Sequence, residues 1–334
     1  MRDDARLWDA GKSLLAERVR AAKRNCSAAA KGDADAIHDL RTSLRKVRAA
    51  LSILSGVVVD EAATRKTLRK VERLFDALGD ARDAQVLLRR LRRWGRSAGG
   101  KALRPLEQSV QRKRKRAVKV LARRLARKRG EKLLDALVAA ARQGRLNGRR
   151  DPSHVRPSLV RHVAASTILR RFEAVLAFEV AIPGAAATFH RLRVAIKELR
   201  DALDFFGGAL PPTVLGVDRT LGRAQKLLGD LHDHEVAREA IARAHRANGG
   251  TRELRGLAER EDRDAAVLVR SFMKAWDKVT SVTFRRAILR VSLLSRASPR
   301  SARAAASATP RSLPHASSPR AQGSVTVKTD PRPG

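Results

Sequence analysis

Apolar residues along this chain recur at spacings of three and four between glycine and proline breaks, and nowhere in a sustained alternation. That pattern predicts an all-α protein without a sheet. Residues 8–30 form a first helix, after which Gly32-Asp33-Ala34-Asp35 supplies a break and a cap. The next helix carries Leu40, Leu44, Val47, Leu51 and Leu54 on one side and ends at Gly56. Over residues 64–78, Leu68, Val71, Leu74, Phe75 and Leu78 keep the helical period, with Arg65, Arg69 and Arg73 on the free side. Leu78-Gly79-Asp80 is expected to interrupt or bend that helix before residues 86–94 continue it. After a Gly99-Gly100 loop, residues 103–143 read as one or two long helices. Further helices are predicted at 158–177, 188–206, 217–247, 251–279 and 284–294, with a break at Gly207-Gly208 and Pro211-Pro212.

Polar positions carry a second regularity. His38-x2-Arg41-x3-Arg45-x2-Arg48 returns without a gap as His190-x2-Arg193-x3-Lys197-x2-Arg200. On a helix, the marked positions fall within an arc of roughly 80°. Each set is therefore one basic stripe, opposite the apolar face that holds Leu40 and Leu44 in one copy and Leu192, Ile196, Leu199 and Leu203 in the other. Leu78-Gly79-Asp80-Ala81-Arg82-Asp83 likewise reappears as Leu228-Gly229-Asp230-Leu231-His232-Asp233, and Arg73 aligns with Arg223. Two elements in the same order at nearly the same separation point to two homologous helical halves, 1–150 and 151–295, divided at Asn147-Gly148-Arg149-Arg150-Asp151-Pro152. Residues 296–334, rich in Ser, Ala, Pro and Arg, are expected to be a disordered tail.

Composition sharpens the chemistry. Formal net charge is +38, from 72 Lys+Arg against 34 Asp+Glu, a field that attracts polyanions at long range. Inorganic polyphosphate, nucleic acid or an anionic membrane surface would answer it. The span from His38 to Arg48 covers about 15 Å, enough for several successive phosphates, with Arg supplying planar forks, Lys a point charge and His a donor. Residues Arg112, Arg116, Lys119, Arg123 and Arg127 form a further basic face, over Val110, Val118, Leu121 and Leu125. The bland alternative for any one of these faces is a solvated helix surface. With eight Phe, three Trp and no Tyr there is little to stack on bases, and no zinc-finger or basic-zipper spacing occurs.

Enzymatic readings are weaker. His38-Asp39 and His232-Asp233-His234 resemble fragments of a metal-dependent phosphohydrolase, but Asp39 corresponds to Arg191 and His232 to Arg82, and the stripes lack further carboxylates. His232 and His234 are expected to be exposed near a bend, and Asp83 and Asp233 to cap helices or pair with arginines. Cys26 is the one cysteine, with no partner set for nucleophilic catalysis, and no phosphate-cradling glycine loop is present. No cofactor and no metal are expected. The N-terminus lacks the apolar run of a secretory signal and no stretch approaches a membrane span, so a cytoplasmic protein is expected.

Together the two His-containing stripes and the two Leu-Gly-Asp elements resemble the CHAD family, the conserved histidine α-helical domain, over about residues 1–295. The resemblance implies two similar antiparallel bundles related by pseudo-twofold symmetry, with the stripe helices facing a central basic channel. It also implies noncatalytic binding of long-chain inorganic polyphosphate, often at polyphosphate granules. The matching positions are His38, Arg41, Arg45, Arg48, His190, Arg193, Lys197 and Arg200, with Arg73 and Arg223 on the next helix of each half. Asp201 departs from the family, which often has an aromatic residue there, and could pair with Lys197. A general nucleic-acid-coating protein is the alternative reading. Oligomeric state is not legible.

Overall fold

The computed structural model describes residues 2–55, 61–97, 100–143, 159–180, 186–247 and 251–294. The expected boundary at 147–152 and the expected tail at 296–334 lie outside them. Among the described residues the chain is helical almost throughout, and the only β pairing is an isolated bridge between Arg6 and Leu159. The helices are α1 (Leu7–Ala30), α2 (Ala34–Ser55), α3 (Glu61–Ser97), α4 (Gly100–Leu125), α5 (Arg129–Gln143), α6 (Val160–Leu176), α7 (Ala186–Phe206), α8 (Val214–Ala247), α9 (Arg252–Thr280) and α10 (Val282–Leu294).

Local chemistry explains the joints. Gly32 turns the chain between α1 and α2 at φ 84°, a conformation that side chains resist. The Asp33 carboxylate then accepts from the amides of Ala36 at 2.7 Å and Asp35 at 3.1 Å, occupying donors that the first turn of α2 leaves open. The hydroxyls of Thr251 and Ser281 do the same for Leu254 at 3.3 Å and Phe284 at 3.2 Å. Between α4 and α5, Arg127 and Lys128 adopt left-handed φ values of 51° and 58° in a single 3-10 turn. The chain must turn sharply there so that Gly130, where a Cβ would collide with Leu125, can tuck beneath it.

The expected interruption at Leu-Gly-Asp is absent. Both α3 and α8 run straight through the element as single helices. Glycine in a helix costs about 0.5–1 kcal/mol relative to alanine. Burial on both sides of it is worth more: Leu74, Ala77, Leu78, Ala81, Ala84, Leu88 and Leu91 hold one face of α3 in the interior, and Leu221, Ala224, Leu228, Ala237 and Ile241 do so for α8.

One large core gathers side chains from α1 to α3 and from α6 to α8, so residues on both sides of the 147–152 segment share it. A second, smaller core joins the distal halves of α3 and α8 to the starts of α4 and α9 through Leu88, Leu91, Trp94, Leu103, Ile241, Leu254 and Leu257. Cys26 belongs to the large core, where burial pushes its thiol up to about 11 and keeps it protonated near neutral pH. α2 packs on α1, α3 and α7, and α7 packs on α6 and α8. The α2 to α7 contact brings the two stripe helices side by side.

No helix among the described residues is long and apolar enough to cross a membrane.

Leu44 is fully buried on the core side of α2, away from the stripe. Replacing it with alanine should lower stability by about 2–5 kcal/mol in chemical denaturation while leaving the stripe side chains in place.

Candidate functional site

α2 and α7 bury the same faces that their sequences mark as apolar. Leu40, Leu44, Val47, Leu51 and Leu54 are inside on α2, and Leu192, Ile196, Leu199 and Leu203 on α7. The stripes are therefore aimed by packing. His38 and His190 stand exposed near the starts of their helices, whereas Arg41, Arg45, Arg193 and Lys197 are half-buried between them.

These four cations form one electrostatic cluster. Lys197 is depressed to about 8 from its usual 10.5, first by burial and then by the fields of Arg45, Arg41 and Arg193. Arg41 is lowered by burial and by Arg193, Arg45 and Arg82, with Asp83 opposing. Each stripe helix thus feels the charges of the other. Like charges this close repel, and what holds them is a set of carboxylates on α7. Asp201, only 8 % exposed, lies with Oδ1 3.3 Å from Nε of Arg45 on α2. The pair is close but not aligned as a hydrogen bond, since Nε of Arg45 stays buried without an acceptor. Asp204, three residues after Asp201 on α7, receives Nη2 of Arg18 at 2.7 Å and Nζ of Lys46 at 2.9 Å. Arg18 also donates to the Lys46 carbonyl at 2.9 Å, tying α1, α2 and α7 together.

Asp201 was expected to answer Lys197 on its own helix. Its ion-pair partner is Arg45 across the helix contact, with Lys197 adding only its field. Burial raises the Asp201 carboxyl above its ordinary value, and Arg45 and Lys197 pull it back.

The outer positions of the stripes diverge. Arg48 lies over the Phe75 ring at 4.9 Å and Arg41 over the same ring at 5.2 Å. At the aligned place on α8 stands Gln225, and Arg200 donates to it at 3.2 Å and to both oxygens of Asp218 at 2.8 and 2.9 Å. The hydrogen bond to Asp218 raises Arg200 above its ordinary value. Arg200 is thereby committed to a protein carboxylate in a way that Arg48 is not. Arg73 and Arg223 are exposed on α3 and α8. Gly229 of the second Leu-Gly-Asp element lies beneath Arg193, whose guanidinium would meet an added Cβ at 3.9 Å. Gly79 has nothing comparable above it.

Arg82 reaches the site although the sequence pattern did not single it out as a contact. Arg82 is half-buried beside Arg41, and Asp83 supplies the field that partly offsets Arg41. Asp83 and Asp233 sit inside continuous helices and cap nothing; of the two expected roles they take the second, Asp83 acting on Arg41 and Asp233 with Arg193. Burial raises the Asp233 carboxyl, while His232 and Arg193 lower it. His232 is half-buried, its ring centroid 5.6 Å from that of His190.

His234, expected to be exposed, is 8 % exposed, and its Nδ1 lies 2.6 Å from Oε2 of Glu261, itself 1 % exposed. Arg90 donates to the same carboxylate and contacts the ring. Burial favours the neutral acid at Glu261, but His234 and Arg90 outweigh it and hold the carboxyl below its ordinary value. A signal for this buried triad was present: Glu261 shares a helical face with Leu254 and Leu257, an acid in an apolar register. Among the described residues, no group of three or more His, Cys, Asp or Glu side chains is placed to hold a metal ion.

Chemically, the arrangement offers convergent guanidinium and ammonium donors in a half-desolvated setting, where ion pairing with a phosphate oxygen is stronger than in water. Comparison with known proteins agrees with this architecture. The structure resembles the crystal structure of the CHAD domain from the plant Ricinus communis, with a TM-score of 0.62 and 22% identity, covering 86% of this chain and 93% of that one. PptA from Streptomyces chartreusis superimposes with a TM-score of 0.62 and 19% identity, covering 82% of this chain and 100% of that one. No curated protein matches. The model of the CHAD domain family matches residues 13–242, and the chain belongs to that family.

Proposed function

We propose that this protein binds long-chain inorganic polyphosphate without cleaving it, laying successive phosphates against Arg41, Arg45, Arg193 and Lys197 between α2 and α7. The observation that carries the reading is the mutual coupling of those four cations, contributed in pairs by two helices and left with fewer carboxylates than they could engage. His38, Arg48 and His190 extend the contact, Arg73 and Arg223 flank it, and Arg200 serves mainly to fix α7 on α8. On this reading the two halves are duplicated units about a pseudo-twofold axis, the space between the stripes is the basic channel of the family, and granule association in the cytoplasm follows from the polymer bound. A slim chain of phosphates suits half-buried cations better than nucleic acid does, because bases would need aromatic platforms and the chain has eight Phe, three Trp and no Tyr. Membership of the CHAD family supports the same ligand.

Reversing Arg45 and Arg193 to glutamate should weaken long-chain polyphosphate binding about 100-fold or more at low salt, with affinity falling steeply as salt rises by analogy with counterion release. Deleting 296–334 should cost far less, and long polyphosphate should displace DNA at equal phosphate concentration. Equal losses from reversal and deletion, measured by fluorescence titration, would favour a nucleic-acid-coating protein.

Lys197 makes binding pH-dependent. Its ammonium is lost as pH rises through about 8, so affinity should fall by about threefold to tenfold there, and Lys197→Met should flatten that limb of the titration. The depressed value has the opposite sign for folding: without ligand, stability contributed by Lys197 is gained between about 8 and its ordinary 10.5 and is absent below. Thermal unfolding of the free protein separates the two effects.

Asp201 competes with the ligand for Arg45. Asp201→Asn should tighten polyphosphate binding by about threefold to tenfold in the same titration, and an unchanged affinity would mean that the Arg45 to Asp201 contact does not have to open.

A further inference from the structure

We propose that the anion track does not stop at the two stripes: Arg82, Arg89, Arg92 and Arg114 carry it along α3 toward α4 as a second phosphate-binding lane, which long polyphosphate reaches and short polyphosphate does not. This rests on the polyphosphate reading above and adds to it a site outside α2 and α7.

The lane starts at the cluster. Arg82 lowers the basicity of Arg41, and Arg82 is itself lowered by burial and then by Arg89, so Arg41, Arg82 and Arg89 are consecutive members of one electrostatic chain. Along α3, residues 82, 85, 89 and 92 recur at i, i+3, i+7 and i+10 and occupy one face of the helix. From Arg82 to Arg92 that face runs about 15 Å, the same length as a stripe from its histidine to its last arginine, so the lane doubles the path. It opens into a groove of about 340 Å³ lined by Ala34, Asp35, Gln85, Leu88, Arg89, Arg92 and Arg114.

Charge and hydrogen bonding in the groove are both incomplete. Three arginines line it against one acid, Asp35. Arg92 reaches out to Glu107 at 3.5 Å in an exposed pair, and Arg114 is anchored by donation to the Gly32 carbonyl at 3.2 Å, which fixes its guanidinium at the groove wall. Gln85 is only 9 % exposed, and its Oε1 is buried with no hydrogen-bond partner. A desolvated amide end without a partner is costly, and natural structures rarely keep one unless something else satisfies it. Rotation of that amide about its last side-chain bond would turn its NH2 group, a donor suited to a phosphate oxygen, toward the groove that Gln85 lines. Past Arg114 the sequence has no acid between Glu107 and Glu131, while Arg112, Lys113, Arg116, Lys119 and Arg123 continue the positive surface of α4. α4 itself therefore sets no carboxylate beside a chain that leaves the groove along it.

The test compares two probes on the full-length protein, tripolyphosphate and long-chain inorganic polyphosphate. Arg89→Ala with Arg92→Ala removes two lane charges from exposed positions, and Gln85→Leu removes the unpaired amide while filling its space. The double variant should weaken long-chain binding by about fivefold or more and reduce the slope of log affinity against log salt by about 1.5, while tripolyphosphate binding stays unchanged. Gln85→Leu should raise the unfolding temperature of the free protein and weaken only the long-chain complex. Long-chain affinity that is unchanged in both variants overturns the lane, and so does an equal loss for both probes, which would mark a general effect of net charge. Failure of the unaltered protein to bind either probe would instead remove the polyphosphate reading itself.

Discussion

The packing of α2 on α7 sets four cations against one another, and the rest of the site is a response to that repulsion. Burial of Leu40 and Leu44 on one helix and Ile196 and Leu199 on the other fixes where the stripes point, and hydrophobic burial on this scale is strong enough to hold like charges together. The molecule relieves the strain only in part. Asp201 answers Arg45, Asp204 answers Arg18 and Lys46, and Asp83 moderates Arg41, yet burial and the neighbouring arginines still hold Lys197 down at about 8. The fold leaves that charge balance open, which is the basis of the proposed anion binding.

Around that centre Arg48 and Arg200, aligned in the sequence, are held in different ways. Arg48 rests on an aromatic face, which attracts a cation without neutralising it. Arg200 grips Asp218 through two hydrogen bonds and Gln225 through a third. A guanidinium held by a ring keeps its donors for a ligand, whereas one held by a carboxylate has spent them on the protein. Positions that match in sequence therefore differ in availability.

The distal ends of α3, α8 and α9 serve a different purpose. Arg90, His234 and Glu261 form a polar knot beside the smaller core, in which Glu261 meets both His234 and a terminal nitrogen of Arg90, while Nε of Arg90 stays buried without an acceptor. Breaking such a knot exposes the remaining members to an apolar setting, so it acts as a staple among three helices. Its histidine belongs to the same short segment as His232, which turns instead toward His190. One turn of α8 thus faces the site with one imidazole and the core with the other.

What the chain's own order of residues determined was everything that depends on helical period alone. Helix positions, the absence of a sheet among the described residues and the alignment of each stripe opposite an apolar face follow from about 100° of rotation per residue, and the cap at Asp33 from a short acid placed just after Gly32, both local rules. The family was legible for the same reason, since its signature is a pair of such registers. The continuity of α3 and α8 through Leu-Gly-Asp was not, because the preference of glycine for a break is local while the burial that overrides it comes from other helices. Tertiary structure alone decided that Asp201 meets Arg45 and not Lys197, that His234 turns inward to Glu261, and that Arg82 and Arg89 continue the line of Arg41. Each of these is a meeting of side chains from separate helices, and which charges meet is settled only when the apolar faces choose their partners.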